Sequence, residues 1–140
     1  MTTTEILMKI YPGLNEDGHW LYGVYDYQPL IDSFGEVLNQ VELGSYQGDT
    51  TALLQKDNLY GLLQFGWGSC SGCDALQGCN NINELVELYE DLRNSIRWIS
   101  KEEMLKFFKE HDWEGGHSWY EQEGTELSDF VKECIVYLEA

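Results

Sequence analysis

Positive charge is scarce in this chain. Eight Lys and Arg stand against 25 Asp and Glu, a formal net charge of −17. Direct binding to a nucleic-acid backbone is disfavoured, because few cations are present to displace its counterions. Anionic lipid surfaces are disfavoured for the same reason. Long hydrophobic runs are also missing: none approaches the about 18 residues that cross a bilayer. The opening stretch MTTTEILMKIYPG has neither a basic start nor a long apolar segment, so no secretory signal is expected. The matching expectation is a cytoplasmic location. Four cysteines would then stay reduced, which argues against a disulfide framework. Prolines are two, Pro12 and Pro29. There is no phosphate loop, no GxGxxG and no second CxxC or HxxxH.

Apolar material is plentiful. With 43% hydrophobic and 14% aromatic residues, 140 residues suffice to fold as one domain spanning the whole sequence. Thr4–Tyr11 has a short helical pattern, ended by Pro12-Gly13. Trp20–Tyr27 alternates like a strand and is broken by Pro29. Glu36–Leu43 is a second strand candidate, with Val37, Asn39, Val41 and Leu43 on one face. Gly44–Gly48 reads as a turn. Thr50–Gln55 and Leu59–Trp67 form a hairpin around Lys56-Asp57-Asn58, residues that tolerate left-handed backbone. The second half changes period. Asn81 with Glu84, and Ser100 with Glu103, are capping boxes that open apolar stripes of helical spacing. A last helix runs from Glu126 to Leu138 on Leu127, Phe130, Val131, Cys134, Ile135 and Leu138. Strands first and helices afterwards predict an α+β fold: an antiparallel sheet of about four strands with helices packed on one face.

Chemistry concentrates in the loop after the hairpin, where Cys70-x2-Cys73-x5-Cys79 sits among glycines. Three readings stay open. A structural zinc would take Cys70, Cys73 and Cys79, with His117 as the best outside ligand and His19, His111 and Cys134 as weaker ones. A thiol-dependent enzyme would use Cys70 or Cys73, but Asp74 and the overall negative charge oppose a thiolate. Alternatively the cysteines fill a tight buried turn as small hydrophobes. Ser69 and Ser71 do not form a GxSxG elbow. The stretch HDWEGGHSWYEQEGTE reads as an acidic loop pinned by Trp113 and Trp119, or as a mixed-ligand metal site.

Three segments together carry a resemblance: GSYQGDT at Gly44–Thr50, YGLLQFGWGSCSGCDALQGC at Tyr60–Cys79, and HDWEGGHSW at His111–Trp119. They resemble a group of small acidic, mostly uncharacterised proteins of bacteriophages and their bacterial hosts. The resemblance implies a phage or prophage setting and a role in the cytoplasm of an infected cell. It assigns no activity and no site residues.

The acids admit a bland reading, a well-solvated surface, and a sharper one, a field that attracts basic grooves. The function expected on the sharper reading is a non-enzymatic binding protein. It would act on a host or phage protein with a basic surface, as a nucleic-acid mimic or an inhibitor of a nucleic-acid-directed defence system. Glu84, Glu87, Glu90 and Asp91 on one helix, and Glu121, Glu123, Glu126 and Asp129 near another, would supply the field. The alternatives are a zinc-stapled recognition module and the thiol enzyme.

Overall fold

A computed structural model describes residues 1–12, 14, 26–44, 47–68, 74–111, 113 and 125–140. The elements, in order, are α1 (Thr3–Ile10), α2 (Gln28–Phe34), β1 (Glu36–Gly44), β2 (Gly48–Lys56), β3 (Leu59–Trp67), α3 (Ile82–Ser95), α4 (Lys101–Glu110) and α5 (Thr125–Glu139). The class is α+β, with an antiparallel sheet in the order β1-β2-β3. No helix among the described residues is long and apolar enough to cross a membrane.

Local chemistry explains most of the boundaries. The side chain of Thr2 accepts from the Glu5 amide to open α1. Asn81 accepts from Glu84 to open α3, and Ser100 from Glu103 to open α4, as the capping boxes predict. In α4, Glu102 and Glu103 lie at the positive end of the helix dipole and Lys109 at the negative end. The hairpin turns at Asp57, whose φ of 57° is the left-handed conformation that Asp tolerates. Lys56 pairs with Leu59 across it.

Three expectations are corrected. First, the sheet has three strands among the described residues, not four. The candidate strand Trp20–Tyr27 lies outside them except for Asp26 and Tyr27, which are not in a strand. Pro29 instead stands in the first turn of α2, where its missing N–H costs nothing and its fixed φ suits a helix. Beyond β3, Tyr60 and Ile99 exchange backbone hydrogen bonds of 2.8 and 2.9 Å, so an isolated bridge lines that edge.

Second, helices cover both faces of the sheet. On one face Ala52, Leu54 and Leu63 join Leu7 of α1, Leu30, Ile31 and Phe34 of α2, and Leu85, Tyr89 and Leu92 of α3. On the other, Leu43 and Leu53 join Met104 and Phe108 of α4, and Leu127, Phe130, Cys134 and Leu138 of α5. Central strand β2 shows this directly: the consecutive Ala52, Leu53 and Leu54 are each 0% exposed. Successive strand residues point to opposite faces, so three buried in a row require cover on both.

Third, Val37 does not share a face with Asn39, Val41 and Leu43. Val37 pairs with Leu54 and Asn39 with Leu53, a register shift that accommodates an extra residue. Such a bulge reverses the alternation. Val37 thereby joins the α1–α2–α3 side, while Val41 and Leu43 join the α4–α5 side.

Candidate functional site

The end of β3 leads into the cysteine loop, and the described part of that loop is organised by one carboxylate. Asp74 is 4% exposed. Its Oδ1 accepts from the Gly68 amide at 2.9 Å and from the Tyr27 hydroxyl at 3.1 Å, and its Oδ2 from the Gln77 amide at 2.9 Å. The Leu76 amide donates to Tyr27 Oη at 3.1 Å, and Gln77 Nε2 donates to the Gly68 carbonyl at 3.2 Å. Burying a carboxylate is tolerable when donors replace its water, as here. Asp74 thus ties the end of β3, the segment before α2 and its own turn together. The chain after Asp74 makes only one helical turn, closed by Gly78 N–H donating to the Asp74 carbonyl. Burial pushes the Tyr27 phenol well above its ordinary range, with the Asp74 charge adding to the effect. Tyr11 is raised in the same direction, again chiefly by burial, and its hydroxyl donates to the Asp26 carbonyl at 2.7 Å.

Of the expected zinc ligands, Cys70, Cys73, His117 and His19 lie outside the described residues. Cys79 is buried on the α1–α2–α3 side, and its thiol donates to the Ala75 carbonyl at 3.3 Å. Burial pushes that thiol up to about 11, helped by the carboxylates of Glu84, Asp74 and Glu87. Cys134 lies on the α4–α5 side, where burial raises it to about 12 against the lowering effect of a hydrogen bond from Asn39. The sheet therefore separates Cys79 from Cys134. His111 is at the end of α4, its ring 4.7 Å from that of Phe107 and likewise on the far side from Cys79. Neither Cys134 nor His111 can complete a site at Cys79. Among the described residues no group of three or more His, Cys, Asp and Glu converges on a metal position. Trp113 is half-buried and its indole N–H donates to the Phe108 carbonyl at 2.9 Å, so it pins its segment to α4.

The acidic residues divide between the two sides. On α3, Leu85, Tyr89 and Leu92 face the core, leaving Glu87 and Asp91 exposed and Glu84 and Glu90 half-buried. Glu84, Glu87 and Asp91 follow helical spacing and form one stripe. Glu90 accepts from the Thr3 hydroxyl of α1 at 3.3 Å. Arg93, the basic residue of α3, lies over the Tyr89 ring, 5.4 Å from its centre. Glu126 and Asp129 are on α5, across the sheet, so the structure does not join them to the α3 stripe. Glu121 and Glu123 lie outside the described residues. On the α4–α5 side Lys109 pairs with Glu139 at 2.7 Å, both half exposed, and Lys101 Nζ donates to the Ala140 oxygen.

Sequence reasoning missed a cleft next to Asp74. It has a volume of about 190 Å³, and Asp26, Tyr27, Glu42, Trp67, Asp74 and Gln77 are among its walls. Only Asp74 carried a hint, as a lone acid in the small, apolar stretch CDALQGC. The other walls come from separate stretches of chain that no spacing connects. Comparison with protein-family models, with curated proteins and with solved structures finds no match for this chain.

Proposed function

We propose that this protein is a non-enzymatic binding protein that places carboxylates into a basic groove of another protein. The observation that supports it is the outer stripe of α3. Glu84, Glu87 and Asp91 stand together on one helix whose own Arg93 lies over Tyr89, while Lys109 pairs with Glu139 on the other side of the sheet. Like charges in a row repel one another at rest, and a cationic partner relieves that repulsion and is steered toward it. A groove that normally holds a nucleic-acid backbone has the complementary chemistry. The resemblance to phage and prophage proteins suggests that the partner is a host or phage protein in an infected cell, where occupying such a groove inhibits it. The α5 acids would form a second, separate field rather than an extension of the first.

The test is retention of nucleic-acid-binding proteins with basic grooves on the immobilised chain, at about 0.05 and 0.5 M salt, conditions that bracket strong and weak screening. Retention at low salt, release at high salt, and displacement by duplex DNA are expected. The variant Glu84→Lys/Glu87→Lys/Asp91→Lys should lose retention. Retention that ignores both salt and charge reversal would defeat the proposal. The zinc-stapled module is tested on the same protein: native mass spectrometry should then show one zinc per chain, lost on thiol modification.

A further inference from the structure

The few cations of this chain are not spread evenly. Four of the eight Lys and Arg lie in residues 97–109. Lys101 and Lys109 are taken up at the end of α5, by the Ala140 oxygen and by Glu139. Arg97 and Lys106 are exposed and form no ion pair among the described residues. Both line one groove of about 290 Å³, between residues 97–99 and the outer flank of α4. Its apolar walls are Ile99 and Phe107. Phe107 is 37% exposed, yet its ring is held: His111 stacks on it at 4.7 Å and Trp113 stands edge-on at 5.6 Å, centre to centre. Glu103 and Glu110 complete the rim, and Glu103 Oε1 accepts from the Ser100 hydroxyl at 3.3 Å.

A second observation is independent of charge. Residues 97–99 lie outside β3, where Ile99 exchanges both of its backbone hydrogen bonds with Tyr60. Backbone groups of successive residues in an extended segment point to opposite sides. With Ile99 turned to β3, the N–H and C=O of Trp98 face away from the sheet. They make no backbone hydrogen bond among the described residues. The groove therefore runs along an unpaired strand edge, and such an edge is a template for another strand.

We propose that the groove receives an extended segment of a partner protein, laid beside residues 97–99 as a further strand. A large apolar side chain of that segment packs on Ile99 and Phe107, and a carboxylate two positions away reaches Arg97 and Lys106. Residues two apart on a strand share a face, so both can enter the groove together. Strand addition draws affinity from main-chain hydrogen bonds, here at Trp98, and specificity from side-chain pockets. Local charge outweighs the net charge of the chain, because charges more than about 8 Å away are screened at physiological salt. Glu103 and Glu110 repel a segment whose acids are out of register. The groove is across the sheet from α3, so this inference does not rest on the function proposed above.

The probes are the blocked pentapeptides acetyl-Thr-Glu-Xaa-Glu-Thr-amide with Leu, Phe or Val at the centre, titrated into the 15N-labelled full chain. At least one should bind saturably, shift the Trp98 backbone amide and slow its exchange with solvent. Replacing both glutamates of that peptide by glutamine should weaken binding about tenfold, as should Arg97→Gln/Lys106→Gln in the chain. Phe107→Ser should weaken it by a similar factor, with circular dichroism confirming the fold. Failure of all three peptides to bind, a stationary Trp98 amide, or equal binding of the glutamine peptide would overturn the proposal. So would a Trp98 amide already protected in the free chain together with a dimer, seen by sedimentation velocity, that Phe107→Ser dissolves; the occupant would then be a second copy.

Discussion

The two sides of the sheet are built on different principles. The α4–α5 side is filled by volume. Phe108 lies 4.9 Å from Trp113 and 6.2 Å from Phe130, ring centre to ring centre, and Met104, Leu127, Cys134 and Leu138 close the space around them. Its two helices are neighbours in sequence. The α1–α2–α3 side gathers helices from distant parts of the chain and adds polar pins: Tyr11 to the Asp26 carbonyl, and Tyr27 and two amides to Asp74. Apolar packing is non-directional and sets a compact arrangement; hydrogen-bonded groups in a low-dielectric interior fix one arrangement among several. The cleft occurs on the pinned side.

Substitutions test that contrast. The largest loss is expected from Phe108→Ala, 1% exposed at the centre of the ring cluster: about 4 kcal/mol, read by urea denaturation, from lost burial plus a cavity. Next comes Asp74→Ala, expected to cost about 3 kcal/mol because the Gly68 and Gln77 amides and the Tyr27 hydroxyl lose their acceptor together. If Asp74→Ala cost no more than a surface change, apolar burial alone would hold both sides and the contrast would dissolve. Gly61→Ala should cost about 2 kcal/mol by overpacking. A Cβ there would come within 2.4 Å of Ile96 Cγ2 and 3.0 Å of the Trp98 ring, which lie against the pinned side of β3.

The thiols report on both sides at once. Folding raises Cys79 from 9.0 to about 11 and Cys134 from 9.0 to about 12, chiefly by burial. Between those values the unfolded chain has lost protons that the folded chain keeps. Their contribution is therefore complete below about pH 9 and is lost as pH rises through the folded values. The buried phenols of Tyr11 and Tyr27 act in the same direction at higher pH. Denaturation midpoints should fall steadily above about pH 9 and hardly change from about pH 7 to 8. In the same neutral range neither thiol should react with a disulfide reagent until the chain unfolds. The smallest effect on stability is expected from Glu84→Gln/Glu87→Gln/Asp91→Asn on α3. It should stay within about 0.5 kcal/mol, while retention on basic proteins drops.

Much of the secondary structure was legible because its signals are local. Asn81–Glu84 and Ser100–Glu103 cap helices through contacts three residues apart, and Asp57 turns a hairpin by its own conformation. The stripe on α5 needs only its own periodicity. The cover of both sheet faces had a cue that alternation alone did not weigh, the unbroken Ala52-Leu53-Leu54. Pro29 was ambiguous by nature, since one residue type ends strands and opens helices. The bulge after Val37 was not legible at all, because the extra residue is defined by its partner strand. Of the candidate site, the α3 acids could be read from the chain, while the cleft could not.

Charge, caps, the hairpin turn and the apolar stripes follow from residue type and short spacing alone. Where those pieces meet depends on how the folded chain packs. Packing sets Cys79 and Cys134 on opposite sides of a sheet, parts the α5 acids from those of α3, and brings Asp26, Glu42, Trp67 and Asp74 around one cleft. The reason is physical: strand register and helix docking are fixed by burial of surface distant along the chain, and burial depends on what lies across the core.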